Sequence, residues 1–150
     1  MKKEVIFKNP KSLSVELVRV AAPFRFDAFG ADKTPVAIDA AAAIGGSNAG
    51  ARPMELLLMG LAGCSAIDVI LILKKARQPL EDLRITVEGI READETPAPF
   101  LQIDLKYWFK GNLKPEKVEN ALQLSMEKYC SATAMLEKTA QINWTYEIEL

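Results

Sequence analysis

The chain contains no histidine. That absence removes the usual general base, the commonest zinc ligand and every Ser-His or Cys-His nucleophilic pair. An excess of one charge sign is also missing: 19 basic residues face 20 acidic ones across 150 positions, with no basic block. A phosphate backbone is tracked by clustered positive charge with interleaved aromatics, so nucleic acid is not an expected partner. Cysteine is scarce, with only Cys64 and Cys130 present. They form no CxxC motif, and without histidine their spacing matches no metal-ligand pattern, so no metal site is expected. The apolar run before Lys8 is only three residues long, Val5 to Phe7, too short for the apolar region of a signal peptide. The expected compartment is therefore a reducing cytoplasm, where a lasting structural disulfide is disfavoured.

Hydrophobic residues make up 49% of the chain, enough for one domain spanning 1–150 or two small lobes sharing a core. From Leu56 to Leu73 the only charge is Asp68, and the run is close to the length of a membrane-spanning helix. A central aspartate costs about 3 kcal/mol on insertion scales, and Gly60, Gly63, Cys64 and Ser65 weaken the segment further. No membrane span is expected. The run instead reads as a central helix, opened by Pro53 and closed by Lys74, Lys75, Arg77 and Pro79, apolar nearly all round because it is covered on every side. So short a chain can hardly wrap such a helix alone, which points to a second subunit.

Around it, "SVELVRVAAPFRFDAF" and "TPVAID" read as N-terminal strands, and "AAAAIGGSNAGAR" as a glycine-bearing loop leading to the helix. "LRITVEGIREA" and "FLQIDLKYWFK" alternate cleanly and form a hairpin across "DETPAP". A second helix begins near Pro115, with an apolar stripe of Val118, Ala121, Leu122, Met126 and Tyr129. It ends near Cys130, before a helical turn through "ATAMLEK" and a last strand, "QINWTYEIEL". The class is α+β, with antiparallel pairing favoured by the hairpin between the helices.

The two cysteines admit two readings. Free cysteine is among the most buried residue types, so both can be small core residues. Each also lies on a helix beside Gly, Ala or Ser, in "GLAGCSA" and "EKYCSA". Small neighbours let backbones approach and let a small molecule reach sulfur, and a disulfide needs its Cα atoms roughly 4.4–6.8 Å apart.

The segments "GGSNAGARPMELLLMGLAGCSAIDVILILKK", "IDLKYWFKG" and "VENALQLSMEKYCSATAMLEK" together resemble the family of osmotically inducible protein C and organic hydroperoxide resistance proteins, especially its redox-protein branch. The resemblance runs from about Phe24 to the C-terminus. It implies an OsmC-like fold, with antiparallel sheets around a long buried helix, in an intertwined homodimer. The strands of 1–45 are then exchanged with the partner subunit, while 46–150 supply helix, hairpin, helix and strand. It also implies a cysteine-based peroxidase without a cofactor. Cys64 stands at the peroxidatic position, whose thiolate becomes a sulfenic acid, and Cys130 at the resolving position, which converts that acid to a disulfide. An external dithiol, in the family typically a lipoylated protein, restores both.

The family's peroxidases place a glutamate directly after the helix-opening proline and an arginine on the N-terminal strands. Here Met54 follows Pro53. Glu55 lies nine residues before Cys64, which at about 100° per residue turns it about 180° away, and an acid in a first helical turn has its own favourable role. Arg25 is the preferred arginine candidate, with Arg19 and Arg52 behind it. Asp68 shares a face with Cys64 one turn on. As a catalytic group it is a secondary candidate, since a carboxylate raises a thiol pKa. Its alternative role is to bond hydroxyls such as Ser65, Ser131 or Thr133 across the dimer. Lys128 and Tyr129 flank Cys130, the first expected in solvent and the second in the apolar stripe. Met54, Leu58 and Leu61 are candidates for an apolar pocket favouring an organic hydroperoxide over hydrogen peroxide. The alternative function is a non-peroxidatic relative that senses redox state through its thiols or binds a small apolar ligand.

Overall fold

The computed structural model describes residues 6–150. The chain separates into two compact units, Met1–Pro53 and Met54–Leu150.

The N-terminal unit is a three-stranded antiparallel sheet of β1 (Glu16–Ala21), β2 (Arg25–Phe29) and β3 (Pro35–Ile38), paired in that order. Its strands carry the β-branched and aromatic residues that fit a pleated surface. Every residue of β1 is exposed in the single chain. Beyond β3 the chain folds back, and Asp39 ties that loop together. Its buried carboxylate accepts N–H bonds from Ala40 at 2.7 Å and from Ser47 and Ala49 at 3.1 Å each. These bonds, led by that from Ala49, hold its carboxyl below the usual range.

In the second unit, α1 (Pro53–Lys75) is followed by the hairpin strands β4 (Asp82–Arg91) and β5 (Phe100–Lys110). Next come α2 (Pro115–Leu124), a π turn at Ser125–Tyr129, α3 (Ser131–Leu136) and β6 (Gln141–Glu149). Strand β5 is central, paired with β4 on one edge and β6 on the other, and its alternation turns one face to the core: Ile103, Leu105, Tyr107 and Phe109 are buried while the residues between them are not. They form one cluster with Leu61, Val69 and Leu73 of α1 and Val118 and Leu122 of α2. Each such side chain stabilises the fold by about 1.5–3 kcal/mol through burial.

One expectation is revised. β4 and β5 pair antiparallel, but β6 joins β5 in parallel, Ile103 opposite Ile142 and Phe109 opposite Ile148. The segment from α2 through α3 is long enough to carry the chain back to the start of β5, which parallel pairing requires. Helix α1, as expected of so short a chain, is not covered on every side by one chain. Leu61, Ser65, Val69 and Leu73 are buried along one i, i+4 stripe, whereas Leu57, Met59, Ile67, Ile70 and Leu71 are exposed. By length and composition alone the helix is apolar enough to cross a membrane. A Cβ built on Gly60 or Gly63 meets nothing within 4 Å, so the small residues leave open space along the helix.

Candidate functional site

Helix α1 carries Cys64 and Asp68 four residues apart, about 40° around its axis, so both project from neighbouring positions one turn apart. Cys130 arrives by a different device. Helix α2 widens into the π turn, where the Cys130 N–H donates to the Ser125 carbonyl five residues back, at 2.8 Å. Such turns recur inside helices at functional sites. Cys130 then leaves the helical conformation, with φ −72° and ψ 104°, and caps α3: its Sγ accepts the Thr133 N–H at 3.4 Å.

These two routes bring Cys64 Sγ, Cys130 Sγ and a carboxylate oxygen of Asp68 within 4.8 Å of one another. Both thiols are free. Cys64 and Asp68 are half-buried, and Cys130 is 3% exposed. Burial pushes the Cys130 thiol up, Thr133 opposes the shift through its hydrogen bonds, and neighbouring Cys64 adds to it. Of the two sulfurs, Cys64 is the one open to a reactant.

Ser125, at the start of the π turn and wholly buried, donates from Oγ to Asp68 Oδ2 at 3.2 Å. Within one chain Ser125 is thus the hydroxyl bonded to that carboxylate. Ser65 is instead bonded to the Tyr107 hydroxyl at 2.5 Å, and Thr133 Oγ1 to Met126 Sδ at 3.4 Å. The Tyr107 hydroxyl is pushed up to about 12 by burial, with Ser65 opposing and Cys130 adding to the shift. It therefore stays neutral and serves as a hydrogen-bonding group beneath the cluster.

The remaining candidates are dispersed. Arg25 is engaged inside the N-terminal unit, ion-paired with Asp27 at 2.7 Å and donating to the Phe26 carbonyl. Arg52 donates to Asn48 at 3.2 Å. Glu55 occupies the first turn of α1, as expected. Met54 and Leu58 pack against the core, and Leu58 borders a groove of about 250 Å³ with Ala62 and Ile85. Leu61 belongs to the fully buried stripe of α1. The apolar cleft beside the cluster lies elsewhere, about 490 Å³ between Asp68, Leu71 and Ile72 on α1, Leu124 at the end of α2 and Tyr129 beyond it, with Lys74 and Lys75 also lining it. Tyr129 is half-exposed rather than continuing the buried stripe, because the π turn shifts the helical register before it. The Lys128 ammonium stands 5.3 Å over its ring.

The family model described as OsmC-like protein matches residues 45–145. Protein YhfA of Escherichia coli strain K12 is 44% identical over 97 residues, which cover 64% of this chain and 72% of that protein. The crystal structure of a hypothetical protein from Aquifex aeolicus VF5 is 31% identical, covers 94% of this chain and 100% of its own, and superposes with a TM-score of 0.77. A more distant structure, the organic hydroperoxide resistance protein OhrB of Bacillus subtilis, shares the fold at 18% identity, covering 91% and 98% of the two chains with a TM-score of 0.62. With both cysteine segments inside the matched residues, the chain belongs to the OsmC-like protein family.

Proposed function

We propose that this protein is a thiol-dependent peroxidase that reduces organic hydroperoxides through Cys64 and Cys130. The observation that carries the reading is the convergence of two sulfurs, distant in sequence, within 4.8 Å. Cys64 is the accessible one and takes the peroxidatic role: its thiolate attacks the O–O bond, releases an alcohol and becomes a sulfenic acid. Cys130, buried alongside, condenses with that acid to a disulfide and water. An external dithiol, of the kind a lipoylated protein presents, then reduces the disulfide by exchange. The residues present need no cofactor for this cycle. Family membership and the name of the OhrB neighbour support the redox reading.

Asp68 is assigned a secondary part, its carboxylate held beside the two sulfurs by the Ser125 hydroxyl. Arg25 is retained as the candidate activating cation from the N-terminal strands. The apolar cleft beside Asp68 favours a lipophilic hydroperoxide. The exposed side chains of α1 and the fully exposed β1 support an intertwined homodimer in which 1–45 exchange between subunits. A cytoplasmic location suits a dithiol that must be re-reduced.

The test is turnover of cumene hydroperoxide and of hydrogen peroxide by the reduced protein with a dithiol. Preferential turnover of the organic substrate, abolished in Cys64→Ser, supports the enzyme. Turnover no faster than in Cys64→Ser favours the second reading, a thiol sensor or apolar-ligand protein. Met54, standing where the family's peroxidases carry glutamate, is the residue that motivates that alternative.

A further inference from the structure

We propose that the reduced Cys64–Asp68–Cys130 cluster binds one thiophilic divalent cation of the zinc class, which shields both sulfurs until an oxidant displaces it. Sequence spacing gives no hint of such a site, since the ligands come from one helix and from a turn beyond the hairpin. The fold nevertheless collects two sulfurs and one carboxylate oxygen, all within 4.8 Å of one another. A zinc ion with Zn–S bonds of about 2.3 Å and Zn–O bonds of about 2.0–2.2 Å needs its tetrahedral donors about 3.5–3.8 Å apart. Binding therefore requires the donor atoms to close by up to about 1.3 Å. Two thiolates and a carboxylate form a donor set suited to a borderline-soft cation, and three protein ligands leave a fourth position for water.

Two further features favour capture. Cys64 and Asp68 sit at i, i+4 on a single helix, which fixes their separation, and the Ser125 hydroxyl orients the Asp68 carboxylate from behind, as outer-shell groups do in metal sites. Cys64 and Asp68 are also only half-buried, which leaves an entry path, while buried Cys130 closes the floor.

Cation binding stands on this geometry alone. Displacement rests on the peroxidase reading above. In that step the two bound thiolates give two electrons to a hydroperoxide. One S–S bond forms, the O–O bond breaks, two protons are taken up, alcohol and water leave, and the cation is released with its charge unchanged.

The experiment titrates reduced, chelator-stripped protein with cobalt(II) under anaerobic conditions. A near-ultraviolet sulfur-to-cobalt charge-transfer band is expected, saturating at one ion per chain and lost on adding zinc(II). Cys64→Ser and Cys130→Ser should each weaken binding on the order of 100-fold, and Asp68→Asn on the order of 10-fold. Glu88→Gln, on β4, is the control and should bind normally. Because a variant can fail to fold, alkylation of the wild-type protein is followed in parallel by peptide mass: zinc(II) should slow labelling of both cysteines. No charge-transfer band, a band surviving all three substitutions, or cysteines labelled equally fast with and without zinc overturns the proposal. Hydroperoxide turnover measured with chelator present separates the two readings. Turnover without cation binding removes this inference alone, and cation binding without turnover removes the peroxidase alone.

Discussion

Cys64 and Cys130 are the same residue in contrasting settings, and on the proposed peroxidase reading the contrast divides their labour. Cys64 stands in the middle of a 23-residue helix, half-buried, next to open space left by Gly63. Cys130 stands where a helix breaks: a π turn delivers it, the Thr133 N–H bonds its sulfur, and burial raises its thiol. A rigid, reachable sulfur suits attack on a substrate. A buried sulfur held at the end of a short turn suits the second step, in which it meets a sulfenic acid that has already formed. Identity of side chain thus fixes little, and the elements carrying the thiols set how exposed and how held each sulfur is.

Removing either sulfur tests that division with the largest effects. Cys64→Ser should lower hydroperoxide turnover by about 10³-fold or more, since hydroxyl oxygen at neutral pH does not replace a thiolate nucleophile. Steady-state consumption of cumene hydroperoxide is the readout. Cys130→Ser should behave differently: the first turnover persists, recycling slows, and a sulfenic acid accumulates on Cys64 that dimedone can trap. Equal loss of the first turnover in both variants would erase the distinction.

Smaller effects probe the supports. Tyr107→Phe leaves the Ser65 hydroxyl buried without its partner and should cost about 1–3 kcal/mol of stability, read by urea denaturation. Ser65→Ala with Tyr107→Phe should cost less than the two single changes summed, because the pair then disappears together. Ser125→Ala removes the bond to Asp68 and should cost about 0.5–1.5 kcal/mol, with a slower Cys64–Cys130 condensation as its second signature.

The pH dependence of stability sharpens the comparison further. Cys130 and Tyr107 both have raised pKa values in the folded protein. Below their ordinary values of 9.0 and 10.0 both groups are neutral in either state, and the stability is fully present. As pH rises beyond these values the unfolded chain ionises first, so stability falls with increasing pH, for Tyr107 between 10.0 and about 12. Cys130→Ala should flatten the part of the decline that begins near 9.0, and Tyr107→Phe the part above 10.0. A stability profile indifferent to both substitutions contradicts the burial argument.

Much of this architecture is legible in sequence because alternation and helical stripes report burial. "FLQIDLKYWFK" shows its buried face in every second residue, and among the described residues five of the six strands fall within the segments expected, while β4 starts one residue earlier, at Asp82. Strand direction is not legible, since a period of two is the same whichever way β6 runs beside β5. The π turn is hidden for a related reason. Val118 to Tyr129 keeps a regular apolar stripe, and a single widened turn leaves no compositional mark on it. In the site, the i, i+4 spacing of Cys64 and Asp68 is readable directly from helix geometry. The placing of Cys130 beside them follows from family resemblance, and the Ser125 bond, 57 residues from its acceptor, has no sequence signal at all. Leu61 lies on the stripe of Ser65, Val69 and Leu73 that faces the core, which the nearly uniform apolar run of α1 does not reveal in sequence.

The central claim is that one Cys64 and one Cys130 react with each other in an oxidant-driven step. Treating the reduced protein with a single equivalent of cumene hydroperoxide and mapping peptides without reductant measures this directly. The account predicts a Cys64 peptide covalently linked to a Cys130 peptide, with loss of two hydrogens and reversal by a dithiol. Two free thiols, or Cys64 advancing to sulfinic acid with Cys130 untouched, would contradict it.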